Sequence, residues 1–171
     1  MKIICLLIAV CLGRRVYGQS PIELDKENGF GDYKIGTKLS SIDVKKLKLL
    51  DENPQNQLFK AKEKAIINGM KGGEVELVFY RGRLVEITVV FRRRTADEYD
   101  SLLQTLEQQY GHPKDKSYSK KKPTYLTTFD KILEWEGLVM GLQYNYDVSH
   151  KIIELIYWGL KERTPKAKEN F

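Results

Sequence analysis

The chain has 171 residues, of which 42% are hydrophobic and 30% charged, with a formal net charge of +6 and only two cysteines. That length suits one domain. Its 10 tyrosines, 6 phenylalanines and 2 tryptophans are enough for a hydrophobic core, which excludes global disorder.

Met1 and Lys2 precede an unbroken apolar run from Ile3 to Leu12, followed by Gly13-Arg14-Arg15 and then Val16-Tyr17-Gly18. A basic start, a short apolar stretch and small or aliphatic residues before Gln19 read as a secretory signal peptide, residues 1–18, cut after Gly18. The run is too short to cross a bilayer, which takes about 20 apolar residues. Arg14 and Arg15 are atypical so close to a cut. Ile8-Ala9-Val10-Cys11 loosely matches a lipobox, with Val10 where Gly or Ala is usual, so lipidation at Cys11 stands as the alternative. Removing residues 1–18 takes away three basic residues and no acids, so the net charge falls from +6 to +3. Cys5 and Cys11 leave as well. The expected product is an exported protein, periplasmic or secreted, without disulfides, thiolate metal sites or cysteine nucleophiles.

Residues 19–34 are polar and read as a lead-in. Residues 35–160 form the expected single α+β domain, and 161–171 a charged tail. Tyr33-Lys34-Ile35-Gly36-Thr37 opens a short helical candidate at 39–44, with Ser40 or Thr37 as cap. Residues 45–65 fit either helix–turn–strand or a hairpin around Asn53-Pro54-Gln55-Asn56. A short strand at 65–68 precedes a glycine-rich turn, Gly69 to Gly73. In 74–80, Val75, Leu77 and Phe79 share one face. Arg81-Gly82 is a two-residue hairpin turn. In 83–92, Val85, Ile87, Val89 and Phe91 point one way and Glu86 and Thr88 the other.

Residues 95–110 carry the clearest helix. Thr95 and Glu98 form a capping box, and Tyr99, Leu102, Leu103, Leu106 and Tyr110 make one apolar stripe. Gly111 and Pro113 stop it. A basic loop, 114–123, leads to strands at 125–136, 138–146 and 151–160. Their inner face holds Leu133, Trp135, Met140, Leu142, Tyr144, Tyr146, Ile153, Leu155 and Tyr157. The order is therefore α-βββ-α-βββ, a single antiparallel sheet of about six strands with helices on one face, compatible with two structural repeats.

Gly36-Thr37-Lys38-Leu39, the hairpin with its glycine turn, and Leu103, Leu106, Tyr110-Gly111-His112-Pro113 resemble features of small exported bacterial helix-plus-sheet repeat proteins. That group includes the β-lactamase-inhibitor-protein-like fold and the BamE-type outer-membrane lipoproteins. The resemblance spans residues 34–160 and implies a protein-binding module, not an enzyme.

The polar residues are weak catalysts by pattern. His112 sits in the helix stop. Asp147, Ser149 and His150 share one turn, too close for a nucleophile–base–orienter arrangement. Glu134 and Glu136 flank Trp135 about 7 Å apart by strand geometry, and alternation places both acids in solvent. Met70-Lys71-Gly72-Gly73 lacks the order of a phosphate loop, and no serine-hydrolase elbow or zinc-hydrolase helix is present. No cofactor and no metal is expected. An enzyme whose acidic residues meet only in the fold is the rival reading.

The strongest polar signal is basic. Arg92, Arg93 and Arg94 precede the helix, and Lys114, Lys116, Lys120, Lys121 and Lys122 follow it, giving +4 over residues 114–122. Tyr118 and Tyr125 would suit single-stranded nucleic acid, but export argues against that partner. An envelope protein or an anionic surface (glycan or lipid headgroup) fits better if the clusters meet, and ordinary solubility is the default. The mid-chain amphipathic helix and Pro165 with five charged residues in 162–171 argue against a membrane β-barrel.

Overall fold

The computed structural model describes residues 22–117 and 129–160. The signal-like segment, part of the basic loop including Lys120, Lys121 and Lys122, and the charged tail lie outside the described residues. Among the described residues, two helices, α1 (Ile22–Glu27) and α2 (Ala96–Tyr110), accompany eleven strands. The strands are β1 (Gly29–Phe30), β2 (Tyr33–Lys34), β3 (Leu47–Glu52), β4 (Asn56–Ala61), β5 (Ala65–Ile67) and β6 (Met70–Tyr80). They continue with β7 (Arg83–Arg92), β8 (Lys114–Asp115), β9 (Lys131–Glu136), β10 (Met140–Asp147) and β11 (Ile152–Gly159).

β1 and β2 form a small hairpin of their own, and the other nine strands make one sheet in which every pairing is antiparallel. Its order is β3-β4-β6-β7-β11-β10-β9-β8, with β5 joined only to β6. The α+β class and the antiparallel sheet match the sequence expectation. The count of six strands and the α-βββ-α-βββ order do not. β3 and β8 lie at the sheet's edges, β1, β2 and β8 are two residues long, and β4, inside the sheet, buries Asn56, Phe59 and Ala61 without a clean alternation. In β3, all residues after Leu47 are exposed, and its register shifts between Leu49 and Asp51.

The expected helix at 39–44 is also replaced, by two 3-10 turns at Leu39–Ser41 and Val44–Lys46. Tertiary backbone bonds explain the change. The amides of Gly36 and Leu39 donate to Leu84 and Gly82, and the Leu84 amide returns to Thr37. A backbone committed to the start of β7 cannot also close an α-helical ladder. The first real helix lies in the supposed lead-in, where Leu24 is its only buried residue.

Where the alternation was strong, it holds. Val75, Leu77, Phe79, Ile87, Val89 and Phe91 are buried in one cluster with all nine inner-face residues expected from the last three strands. Leu84 replaces Val85 in that cluster, because the register shifts between Val78 and Phe79 and turns Leu84 inward. Arg81 and Gly82 both take positive φ, as their turn requires. The glycine-rich turn is tighter than expected: Asn68-Gly69 alone reverses the chain, and Met70 to Gly73 already belong to β6.

Helix α2 begins with the capping box of Thr95 and Glu98 and stops at Gly111. Tyr99 stacks between Tyr144 and Tyr146, with ring centroids 5.1 and 4.3 Å away. The Trp135 indole donates to the Gly111 carbonyl at 2.7 Å, fixing the helix end to β9.

Helix α1 is fastened to the far hairpin by one carboxylate. Asp25 accepts the backbone N–H groups of Leu138, Val139 and Met140 at 2.6, 3.0 and 2.9 Å. Partial burial pushes its pKa up, but the three amide donors outweigh that and hold it below 3.8. A depressed folded pKa means that the stabilisation is present above the unfolded value and fades as pH falls through the folded one. Asp25→Asn is therefore expected to lose about 2 kcal/mol near neutral pH and progressively less in strong acid. Urea unfolding of both proteins across that pH range checks it, and a pH-independent difference would contradict the assignment.

Candidate functional site

Three devices hold the β5–β6 hairpin upright beside α2. The Asn68-Gly69 turn has positive φ at both residues, 48° and 76°. Asn68 donates its side-chain amide to Thr105 Oγ1 at 2.8 Å and to Ser101 Oγ at 3.3 Å on α2. Gly73 admits the Phe91 ring, which would lie 2.7 Å from a Cβ there. Arg94 reinforces the bend. Its guanidinium lies over the Phe91 ring, bonds Glu98 at 2.9 Å and donates to the Lys71 carbonyl.

Across from this hairpin stands the β1–β2 hairpin, closed by Gly31-Asp32. Phe30 packs on Tyr157 with centroids 5.9 Å apart. Glu27, just before it, accepts from the Tyr110 hydroxyl and the Gln109 amide of α2. Burial first, then the Tyr157 hydroxyl and Glu27, pushes the Tyr110 phenol well up.

Between the two hairpins lies a groove made of two adjoining cavities. The first, about 440 Å³, is lined by Tyr33, Ile42, Asp43, Lys46, Glu63 and Val75 among others. The second, also about 440 Å³, reaches Ile67, Leu106, Gln109, Tyr110 and Tyr157. Phe30, Gly31 and Ile66 border both. Ile66 is 60% exposed, the one large apolar side chain on the short strand β5 left in solvent. The groove was not legible in the sequence. Its walls come from segments of 27–46, 63–75, 105–110 and 157, and only the consecutive isoleucines at 66–67 beside a tight turn marked it.

Charge in the first cavity is arranged, not random. Burial raises the Tyr33 phenol, and the nearby charges of Glu63 and Asp32 raise it further. Lys64 is drawn away onto Glu74, 2.9 Å distant, which also takes Lys60 at 2.9 Å. Those two lysines hold the Glu74 carboxyl at about 2. Lys46 stands 3.8 Å from Glu63.

The basic residues singled out from sequence fall elsewhere. Arg92 lies 3.9 Å from Glu74, Arg93 is exposed with φ 59°, and Arg94 is the structural clamp described above. Lys114 pairs with Glu136 at 3.0 Å, which raises its pKa, and the Lys116 amide donates to Ile132. β7 and β8 are separated by β11, β10 and β9, about 19 Å of sheet. The arginines and Lys114 therefore do not converge.

His112 is exposed, 3.7 Å from Glu107. His150 donates its backbone amide to Asp147 and sets its Nδ1 2.7 Å from the same carboxylate, closing the β10–β11 turn. Burial raises Asp147, but the His150 contacts outweigh it and the pKa falls. Glu136 is exposed as expected, whereas Glu134 is only 6% exposed. It belongs to a partly covered outer face where Gln143 donates to Asn145 and Asn145 donates to Glu154, each at 2.7 Å. Among the described residues there is no cluster of three or more metal-ligating side chains, and no helix long and apolar enough to cross a membrane. No protein-family model matches the chain, and no match was found among curated proteins or solved structures.

Proposed function

We propose that this chain is an exported, non-enzymatic binding module of the bacterial envelope, and that the groove between the two hairpins is its working surface. The observation that carries the reading is Ile66, exposed where two cavities meet. The frame around it is rigid: Asn68 is bonded to α2 and Glu27 to Tyr110 and Gln109. A preformed concave site of this size is where a protein engages a partner. The apolar run at residues 3–12 supports export, and the resemblance to small exported repeat proteins supports a protein-binding role.

A photoreactive amino acid placed at position 66 in the producing cell tests the proposal. A discrete adduct is expected there, in the envelope fraction, and none from position 138, which is 83% exposed in the β9–β10 turn. Equal labelling from both positions, or adducts confined to the cytoplasm, would overturn it.

A further inference from the structure

We infer that the groove receives an extended segment of a partner protein, added as a strand to the open edge of β5, apolar at alternate positions and basic beside Asp32 and Asp43. The inference rests on the groove being the working surface and specifies its ligand. β5 pairs with β6 alone, and among the described residues its other edge makes no backbone hydrogen bond. Ile67 and Met70 close the two-residue hairpin. A closing pair exchanges its hydrogen bonds internally, so the next residue out, Ile66, turns its N–H and C=O to the open side. β6 takes the other edge of β5 and Ile66 borders both cavities, which argues that the open side faces the groove.

An unpaired strand edge is a template for another strand, and proteins blunt such edges when nothing is meant to pair there. β5 carries no proline and no inward charge; it is three residues long, and its register against β6 shifts between Ala65 and Ile66, so the open stretch it offers is short. It is instead held apart from the β1–β2 hairpin by bonds to α2. Strand addition draws affinity from main-chain hydrogen bonds and specificity from pockets that take alternate side chains, and here one cavity lies on each side of Ile66.

Charge selects the occupant. The two cavities are bordered by Glu27, Asp32, Asp43 and Glu63 against Lys34, Lys46 and Lys64, and Lys64 is already engaged by Glu74. On an exported chain of net charge +3 this groove is locally acidic. Phe30, Tyr33 and Ile42 offer apolar wall to the stem of a lysine or arginine, with Asp32 and Asp43 to meet its head.

A displayed library of random heptapeptides, panned over the purified protein, tests this directly. Enriched sequences are expected to alternate apolar residues and to carry Lys or Arg near one end. A synthetic peptide of the enriched sequence, followed by fluorescence anisotropy, should lose at least tenfold in affinity when its alternate amides are N-methylated, a change that leaves the protein intact. Ile66→Pro should cost a similar factor, with near-UV circular dichroism to show the fold retained. Asp32→Asn combined with Asp43→Asn should weaken binding several-fold at low salt and little at high salt. Acidic or non-alternating enriched peptides, or affinity indifferent to N-methylation, overturn the strand-addition inference. If such peptides still bind and Ile66→Asp abolishes binding, the groove reading survives without it. A position-66 adduct formed only with a second copy of this chain overturns the partner-protein assignment.

Discussion

Leu102→Ala is expected to lower the unfolding free energy by about 3 kcal/mol, within the range for a buried leucine truncated where neighbours cannot collapse. Leu102 is completely buried on the sheet-facing side of α2, one turn from Tyr99, whose ring is locked between Tyr144 and Tyr146. Those stacked rings cannot move into the vacated space without breaking the Tyr144 hydroxyl's 2.9 Å bond to the Tyr99 carbonyl. A chain of this size should lose roughly 10 °C in Tm. Leu103→Ala, on the half-buried flank of the same helix, is expected to cost about 1 kcal/mol. Urea unfolding with an unchanged m value checks both, and equal losses would contradict the orientation of α2.

Gly141→Ala is expected to cost about 3 kcal/mol by overpacking. The Trp158 indole lies across Gly141, and a Cβ there would come 2.2 Å from its Cε2 and 2.3 Å from its Cζ2. Gly141 pairs with Trp158 on β11 and with Glu136 on β9, so neither strand can withdraw without opening the sheet. The indole must move, and it is only 3% exposed. Tryptophan fluorescence should shift along with stability. In the Gly141→Ala, Trp158→Leu double variant the losses should fall short of their sum, because the second substitution removes the clash. Strict additivity would show that the indole is not the obstacle.

These two residues also mark how far the fold was legible. Leu102 sits at a stripe position that periodicity identifies without any structure. Gly141 gives no such signal, since only the register of β10 against β11 brings Trp158 over it. The same division runs through the molecule. The hairpin of β6 and β7, helix α2 with its capping box, and strands β9 to β11 are readable because each sets its apolar residues on one face in a clean period, although β10 is buried on both faces. α1, β1 to β5 and β8 are short or peripheral, bury few residues, and draw their order from bonds to distant partners.

The candidate site follows the second pattern. Of the residues selected from sequence, Arg94 serves the frame and Lys114 pairs with Glu136. The groove assembles from four separated stretches that no local period connects. Composition and charge, by contrast, were informative from the start. Both cysteines lie in the first eleven residues, leaving no thiol in the described residues, and enough aromatics remain to build the core.

By itself the sequence determined the α+β class, the antiparallel pairing, the start and end of α2, and which side chains of the long strands face inward. All of these follow from periods of 2 and 3.6 residues and from local cap and turn chemistry. The tertiary structure alone decided the strand count and order, the replacement of the first expected helix by 3-10 turns, and the distance between the arginines and Lys114. It also turned an exposed isoleucine at residue 66 into the edge of a groove. Those features depend on hydrogen bonds and packing between residues far apart in the chain, and no local pattern encodes them.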